Sequence, residues 1–189
     1  MNRAPPATVR RVPRVEINSI EVHYERRGAG PPLLFLLGTG QTIANSALSI
    51  NPYADHFDVV VADQRGLGET EAPQGPSTMA DFASDGLALL DHLGLDRVRV
   101  VGISFGGMIA QELAVTAPER VERLALLCTS AGGGGGRSYP LEELDGLPPE
   151  ERRARGMGII DRRWTEEWLA EHDLDRLIAD VMTSATPPE

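Results

Sequence analysis

The stretch Arg97-Val98-Arg99-Val100-Val101-Gly102-Ile103-Ser104-Phe105-Gly106-Gly107 decides the fold. Its first part, Arg97 to Val101, is a short β-branched run of the kind that makes a buried parallel strand. Met108 to Val115 then reads as a helix packing an apolar face. Between them lies Gly102-Ile103-Ser104-Phe105-Gly106, a Gly-x-Ser-x-Gly pattern. A serine forced into so sharp a turn must adopt a strained backbone, since φ > 0 is costly for a residue with a Cβ. Gly102 and Gly106, two residues to either side, remove side chains that would collide there. The turn lifts the Ser104 hydroxyl above the sheet at a helix N-terminus, whose free N–H groups favour negative charge. A nucleophile should sit there if an oxyanion is to form beside it. The plainer reading is a glycine-rich strand–helix turn without chemistry; the flanking strand and helix favour the nucleophile.

Working outward, 189 residues can bury a good core and suggest one domain with room for an insertion. Hydrophobic content of 41% and charged content of 24% are those of a soluble globular protein. The net charge is -10 and all 18 basic residues are arginine. Such a chain, with no basic cluster, is a poor partner for nucleic acid or an anionic membrane. The one cysteine, Cys128, excludes an internal disulfide and fits a reducing compartment. Lying in the apolar run Leu124 to Cys128, it reads as a small core hydrophobe. No apolar run reaches membrane-spanning length, and Met1 to Arg14 has no apolar block, so the expected location is cytoplasmic.

Val12 to Ile17 and Ile20 to Glu25 alternate as two strands of a hairpin joined at Asn18-Ser19. Leu33 to Leu37 is a buried strand ending in Gly38-Thr39-Gly40, and Thr42 to Ile50 a helix stopped near Pro52. Phe57 to Ala62 is another strand, followed by Asp63-Gln64-Arg65-Gly66-Leu67-Gly68. Ser77-Thr78 can cap a helix from Met79 to Leu93. The Val98 strand, the Ser104 turn, a Gly107 to Ala117 helix and a Val121 to Cys128 strand complete the pattern. Strands alternating with helices imply a mostly parallel sheet covered on both faces, which binds ligands at the carboxyl ends of its strands. The loops after Leu37, Ala62 and Ile103 should converge there.

Composition changes at Ala131, which divides the chain into a core, 1–131, and a second part, 132–189. Gly132 to Gly136 is a glycine linker, and beyond it Pro148 to Arg155 and Thr165 to Ala179 are helical in character. They read as an inserted helical lid or as a solvated helical tail. Trp164 and Trp168, four apart, would share a helix face and either line a substrate pocket or simply pack.

From about Val15 to Ser130 the chain resembles the α/β-hydrolase fold superfamily. Pro32 to Gly38 is similar to the family's third strand and oxyanion loop. Asp63 to Thr70 resembles its Asp-x-Arg-Gly-x-Gly-x-Ser turn, with threonine for serine. Gly102 to Gly107 resembles the nucleophile elbow, and Pro118-Glu119-Arg120-Val121 the entry of the sixth strand. Among subfamilies it looks most like 3-oxoadipate enol-lactonases and their esterase relatives.

The resemblance implies an α/β fold, here the N-terminal part of the hydrolase sheet with a partial lid. It implies a serine hydrolase acting on a small-molecule carboxylic ester or lactone through an acyl-serine, without metal or organic cofactor. Ser104 matches the nucleophile, and the backbone N–H groups of Phe105 and Thr39 match the oxyanion donors. Many relatives carry His-Gly where this chain has Leu37-Gly38. A serine nucleophile argues against the dehalogenase and epoxide-hydrolase branches, which attack with aspartate. Asp63 and Arg65 sit at the catalytic edge, and a structural turn, with Arg65 pairing locally, is favoured over a catalytic role.

The family's order of serine, acid and histidine places the last two beyond the lid. His56 and His92 belong at the opposite sheet edge, His23 lies several strands away, and no family pattern supports His172 as a base. Three explanations stay open: an incomplete, weakly active or inactive piece of a longer hydrolase; a non-catalytic small-ligand-binding or scaffolding protein; or complementation by a second chain. An uncovered Val121 to Cys128 strand would make the chain prone to self-association.

Overall fold

The computed structural model describes residues 13–132, 141–144 and 146–183. They belong to two compact units, Met1–Gly134 and Gly135–Glu189. In the first, β1 (Arg14–Ile17) and β2 (Ile20–Arg27) form the opening hairpin. Its turn residues Asn18 and Ser19 have φ of 49° and 65°, the pair of positive values a two-residue hairpin loop favours. Val12, expected in β1, lies outside the described residues. β2 runs two residues past Glu25 because its second half pairs antiparallel with β4 (Asp58–Ala62).

β4, β3 (Pro32–Leu36), β5 (Val98–Ile103) and β6 (Val121–Leu127) run parallel, and the sheet order is β1-β2-β4-β3-β5-β6. Side-chain alternation puts Leu34, Leu36, Val60 and Val100 on one buried face. Leu33, Phe35, Val59 and Val61 form the other. The helices α2 (Met79–His92) and α3 (Phe105–Thr116) cover the first face through Leu89, Leu90, Ile109 and Leu113. The second face packs against Ile50 of α1 (Ala47–Ala54). Burying such a side chain contributes about 1.5–3 kcal/mol relative to leaving it exposed. At the start of α2 the Thr78 hydroxyl accepts from the Asp81 N–H at 3.3 Å, and the Asp81 carboxylate accepts from the Thr78 N–H at 2.7 Å.

α1 starts five residues later than the expected Thr42. The Thr42 N–H goes to Asn45 Oδ1 (2.8 Å) and the Ser46 N–H to the Ile43 carbonyl (3.4 Å), which closes the segment into a turn. The helix then runs through Pro52, where it was expected to stop, giving up one N–H bond. β6 pairs only with β5 among the described residues, and its Leu124, Leu126 and Leu127 are 37–41% exposed. Cys128, expected in the core, is exposed because it lies just past the end of this strand, with φ of 49°.

The second unit holds α4 (Pro149–Ile160), α5 (Glu166–Glu171) and α6 (Asp173–Thr183). The expected Thr165 to Ala179 helix is thus broken at His172. Trp164 precedes α5, so the two tryptophans do not share a helix face. Trp164 is buried with Leu169 and Ala179, whereas Trp168 stacks on His172 at 3.7 Å and donates Nε1–H to Asp175 at 2.7 Å. Of the Gly132 to Gly136 run, all but Gly132 lies outside the described residues. No described helix is long and apolar enough to cross a membrane.

A part-buried ion pair ties the turn after β4 to α2. Arg65 donates to both Asp85 oxygens at 2.7 and 2.8 Å, with the side chains only 9% and 14% exposed. The expected local partner is replaced by one 20 residues away, because α2 packs beside the turn. Hydrogen bonding to Asp85 raises the Arg65 pKa above the ordinary arginine value, against the opposing effect of burial. Asp85→Ala leaves that guanidinium without its carboxylate and should lower stability by about 1.5–3 kcal/mol. Equilibrium urea unfolding checks this, and an unchanged midpoint would show the pair to be dispensable.

Candidate active site

β5 ends at Ile103 and α3 begins at Phe105, so Ser104 alone makes the turn. Its φ of 51° and ψ of -117° are outside the regions an L-residue prefers, a cost on the order of 1–3 kcal/mol. The surroundings enforce it. The Ser104 N–H donates to the Leu127 carbonyl at 2.9 Å. The Ser104 carbonyl accepts from the N–H groups of Gly107 (2.9 Å) and Met108 (3.3 Å) and from Thr129 Oγ1 (2.7 Å). Strand β6 and the first turn of α3 therefore grip the same residue from two directions.

Two glycines make the approach possible. A Cβ on Gly102 would lie 2.7 Å from the Gly107 Cα. One on Gly106 would drive into the carbonyl oxygens of Leu36 and Leu37 at the end of β3. The second contact brings α3 against the loop after β3, closer than turn sterics alone required. Phe105 opens α3, so its N–H is a first-turn donor that no helical carbonyl receives. Its ring meets Phe82 edge-on at 5.1 Å, and the Arg65 guanidinium covers Phe82 at 5.7 Å. Thr39 is exposed in the loop after β3, whose Gly38 would bring a Cβ within 3.5 Å of the Ile103 carbonyl. β3 neighbours β5, so the Thr39 loop and the elbow stand at the same carboxyl edge.

Asp63 is a buried hub of the neighbouring turn. Its carboxylate accepts from the Ile43 N–H (2.7 Å) and the Glu69 N–H (3.0 Å). The same carboxylate lies 2.7 Å from His23 Nδ1, which must be the donor because a carboxylate only accepts. Thr70 donates its hydroxyl to the Asp63 carbonyl and accepts the His23 N–H, the work its threonine does at the motif's serine position. Gly68, at φ 56°, is needed because a Cβ there would enter the Asp63 carboxylate. The contacts of Asp63 and Arg65 brace the turn after β4.

The His23–Asp63 pair was not foreseen. It requires β2 to lie beside β4, a pairing between positions 40 apart, and alternation within β2 gives no hint of it. Strands β4 and β3 separate His23 from β5. His23 Nε2 is buried without a hydrogen-bond partner. His92 meets the Tyr24 ring, and His172 belongs to the second unit. Among the described residues no hydrogen bond joins a histidine to Ser104, and no cluster of His, Cys, Asp or Glu is placed to hold a metal. A cavity of about 40 Å³ lies beneath the sheet edge, lined by Leu36, Leu37, Asp63, Gln64, Arg65 and Phe82 among others. It has room for water but not for a substrate, and it does not border Ser104.

Residues 31–157 match the alpha/beta hydrolase fold family. The chain is 35% identical over 163 residues to a 2-hydroxymuconate semialdehyde hydrolase of Pseudomonas sp. strain CF600, covering 80% of this chain and 56% of that protein. It is 37% identical over 111 residues to a soluble epoxide hydrolase of Corynebacterium sp. strain C12, covering 59% of this chain and 39% of that protein. Among solved structures, the enol-lactonase from Burkholderia xenovorans LB400 superposes with a TM-score of 0.67 at 27% identity, over 92% of this chain and 68% of that one. The chain thus spans 39% to 56% of the length of these two curated relatives.

The strain at Ser104 has a measurable signature. Glycine tolerates φ > 0 and alanine does not, so Ser104→Gly should be more stable than Ser104→Ala by about 1 kcal/mol, strain relief outweighing the extra chain entropy of glycine. Paired thermal melts decide it. Equal stabilities would mean that the turn relaxes in solution.

Proposed function

This chain belongs to the alpha/beta hydrolase fold family, and from that premise we propose that Ser104 is the nucleophile of a serine hydrolase acting on a carboxylic ester or lactone. The observation that carries the reading is the Ser104 backbone, held at φ 51° on the first turn of α3. In this reading Ser104 Oγ attacks the substrate carbonyl carbon while a base takes its proton. The oxyanion accepts hydrogen bonds from the N–H groups of Phe105 and Thr39. The tetrahedral intermediate collapses, the alcohol leaves with a proton, and water then hydrolyses the acyl-serine.

The base and its acid partner are assigned to no residue described here. The buried His23–Asp63 pair supplies the right groups at the wrong place, two strands removed from β5. We assign them instead to further sequence of the same polypeptide or to a second chain. The exposed apolar edge of β6 supports that assignment, since an unpaired strand edge invites another strand. The relatives are named as an epoxide hydrolase, a 2-hydroxymuconate semialdehyde hydrolase and an enol-lactonase; a serine at the elbow favours the acyl-serine route.

With a complete catalytic set, Ser104→Ala should lower kcat for an activated p-nitrophenyl ester by roughly 10⁶-fold. The chain of 189 residues by itself should turn over only weakly, on binding and oxyanion stabilisation alone. Retention of activity in Ser104→Ala defeats the nucleophile assignment. Leu126→Lys, which places a charge on the β6 edge, should reduce self-association in sedimentation velocity; unaltered association would locate the contact elsewhere.

A further inference from the structure

Thr39 is the exposed residue of its loop and stands between two glycines, one of them at φ 67°, so the loop's own backbone does little to fix a direction. Two glutamine side chains supply what the backbone lacks. Gln64 Nε2 donates to the Leu37 carbonyl at 2.7 Å, and Gln41 Oε1 accepts from the Gly38 N–H at 2.9 Å. That carbonyl and that N–H belong to one peptide unit. A single planar group is therefore held at both poles, from β4's turn on one side and from within the loop on the other.

The next peptide unit joins the Gly38 carbonyl to the Thr39 N–H. The Gly38 carbonyl accepts from the Gln41 N–H at 3.2 Å, so its direction is set too. In a trans peptide the N–H and C=O point in opposite directions, so the Thr39 N–H is turned away from Gln41. Gln41 also occupies the Gly38 N–H, which leaves the Thr39 N–H as the neighbouring donor with no protein acceptor among the described residues. Gly38 lies against the Ile103 carbonyl, one residue before Ser104.

We propose that Gln41 and Gln64 are positioning residues: their side-chain amides clamp the Leu37–Gly38 peptide and so fix the direction of the Thr39 N–H. The inference rests on the reading of Thr39 as the second oxyanion donor. Neither glutamine touches the reacting atoms. Their effect falls on a donor whose misplacement by about 1 Å can cost on the order of 10²-fold in rate.

Residual dipolar coupling of the Thr39 N–H, measured on the ¹⁵N-labelled chain, reads that direction without any turnover. Gln41→Met and Gln64→Met keep side-chain length and remove the hydrogen bond. Both should change the Thr39 coupling while leaving those of Leu34, Val60 and Val100 unaltered. Gln41→Glu keeps an acceptor oxygen and should preserve the wild-type coupling. An unchanged Thr39 coupling in both methionine variants overturns the clamp, as does its loss in Gln41→Glu. Should Gln41→Met fail to fold, Gln64→Met and Gln41→Glu carry the same test.

With a complete catalytic set, each methionine variant should lose about 10- to 100-fold in kcat for p-nitrophenyl acetate with KM within about twofold, and Gln41→Glu should recover most of it. A shifted Thr39 coupling with kcat unchanged overturns the link to the oxyanion. Ser104→Ala run alongside separates the two ideas: full activity there sinks the nucleophile reading, whereas the couplings still judge the clamp.

Discussion

Four hydrogen bonds to the backbone of Ser104 hold a φ of 51° that the residue alone would abandon. They involve Leu127 at the end of β6, Thr129 just after it, and Gly107 and Met108 in α3. The strand before, the helix after and the parallel neighbour beside are thus all recruited to one residue. Remove β6 and the N–H of Ser104 loses its acceptor; add a side chain at Gly106 and α3 is pushed off β3. The rest of the unit is arranged so that this junction can exist. Buried faces on both sides of the sheet fix the strands, and the strands fix the loops at their carboxyl ends.

A second network braces the neighbouring loops. Asp63 gathers the Ile43 N–H, the Glu69 N–H and His23 at one buried carboxylate, which joins the segment after β3 to the turn after β4. Arg65, two residues on, reaches Asp85 in α2 and covers Phe82, whose ring meets Phe105. Charge is used here for architecture. Removing a buried charge's partner is costly, so each pair commits two distant segments to one arrangement.

The elbow was legible in the sequence because its determinants are local: a β-branched run, glycines two residues to each side, and a helical pattern beyond. The hairpin at Asn18-Ser19 and the Thr78 cap could be read for the same reason. What escaped depends on partners distant along the chain. His23 looks like any strand residue until β2 is laid beside β4, and the partner of Arg65 is set by helix packing, not by its neighbours. Pro52 misled because a short helix tolerates the loss of one bond, and Trp164 because periodicity ran across a break at the Thr165 cap. Cys128 was misjudged on composition alone: an apolar run implies burial only when another layer covers it.

That misjudged cysteine has a practical side. It is the chain's single thiol, it stands in the open directly after the residue whose carbonyl holds the Ser104 amide, and the sequence contains no lysine. Maleimide chemistry would therefore mark one atom of the side-chain inventory and no other. A fluorophore or nitroxide attached there would ride on the segment that supports the elbow, a built-in vantage point from which its motions can be watched without altering a single residue.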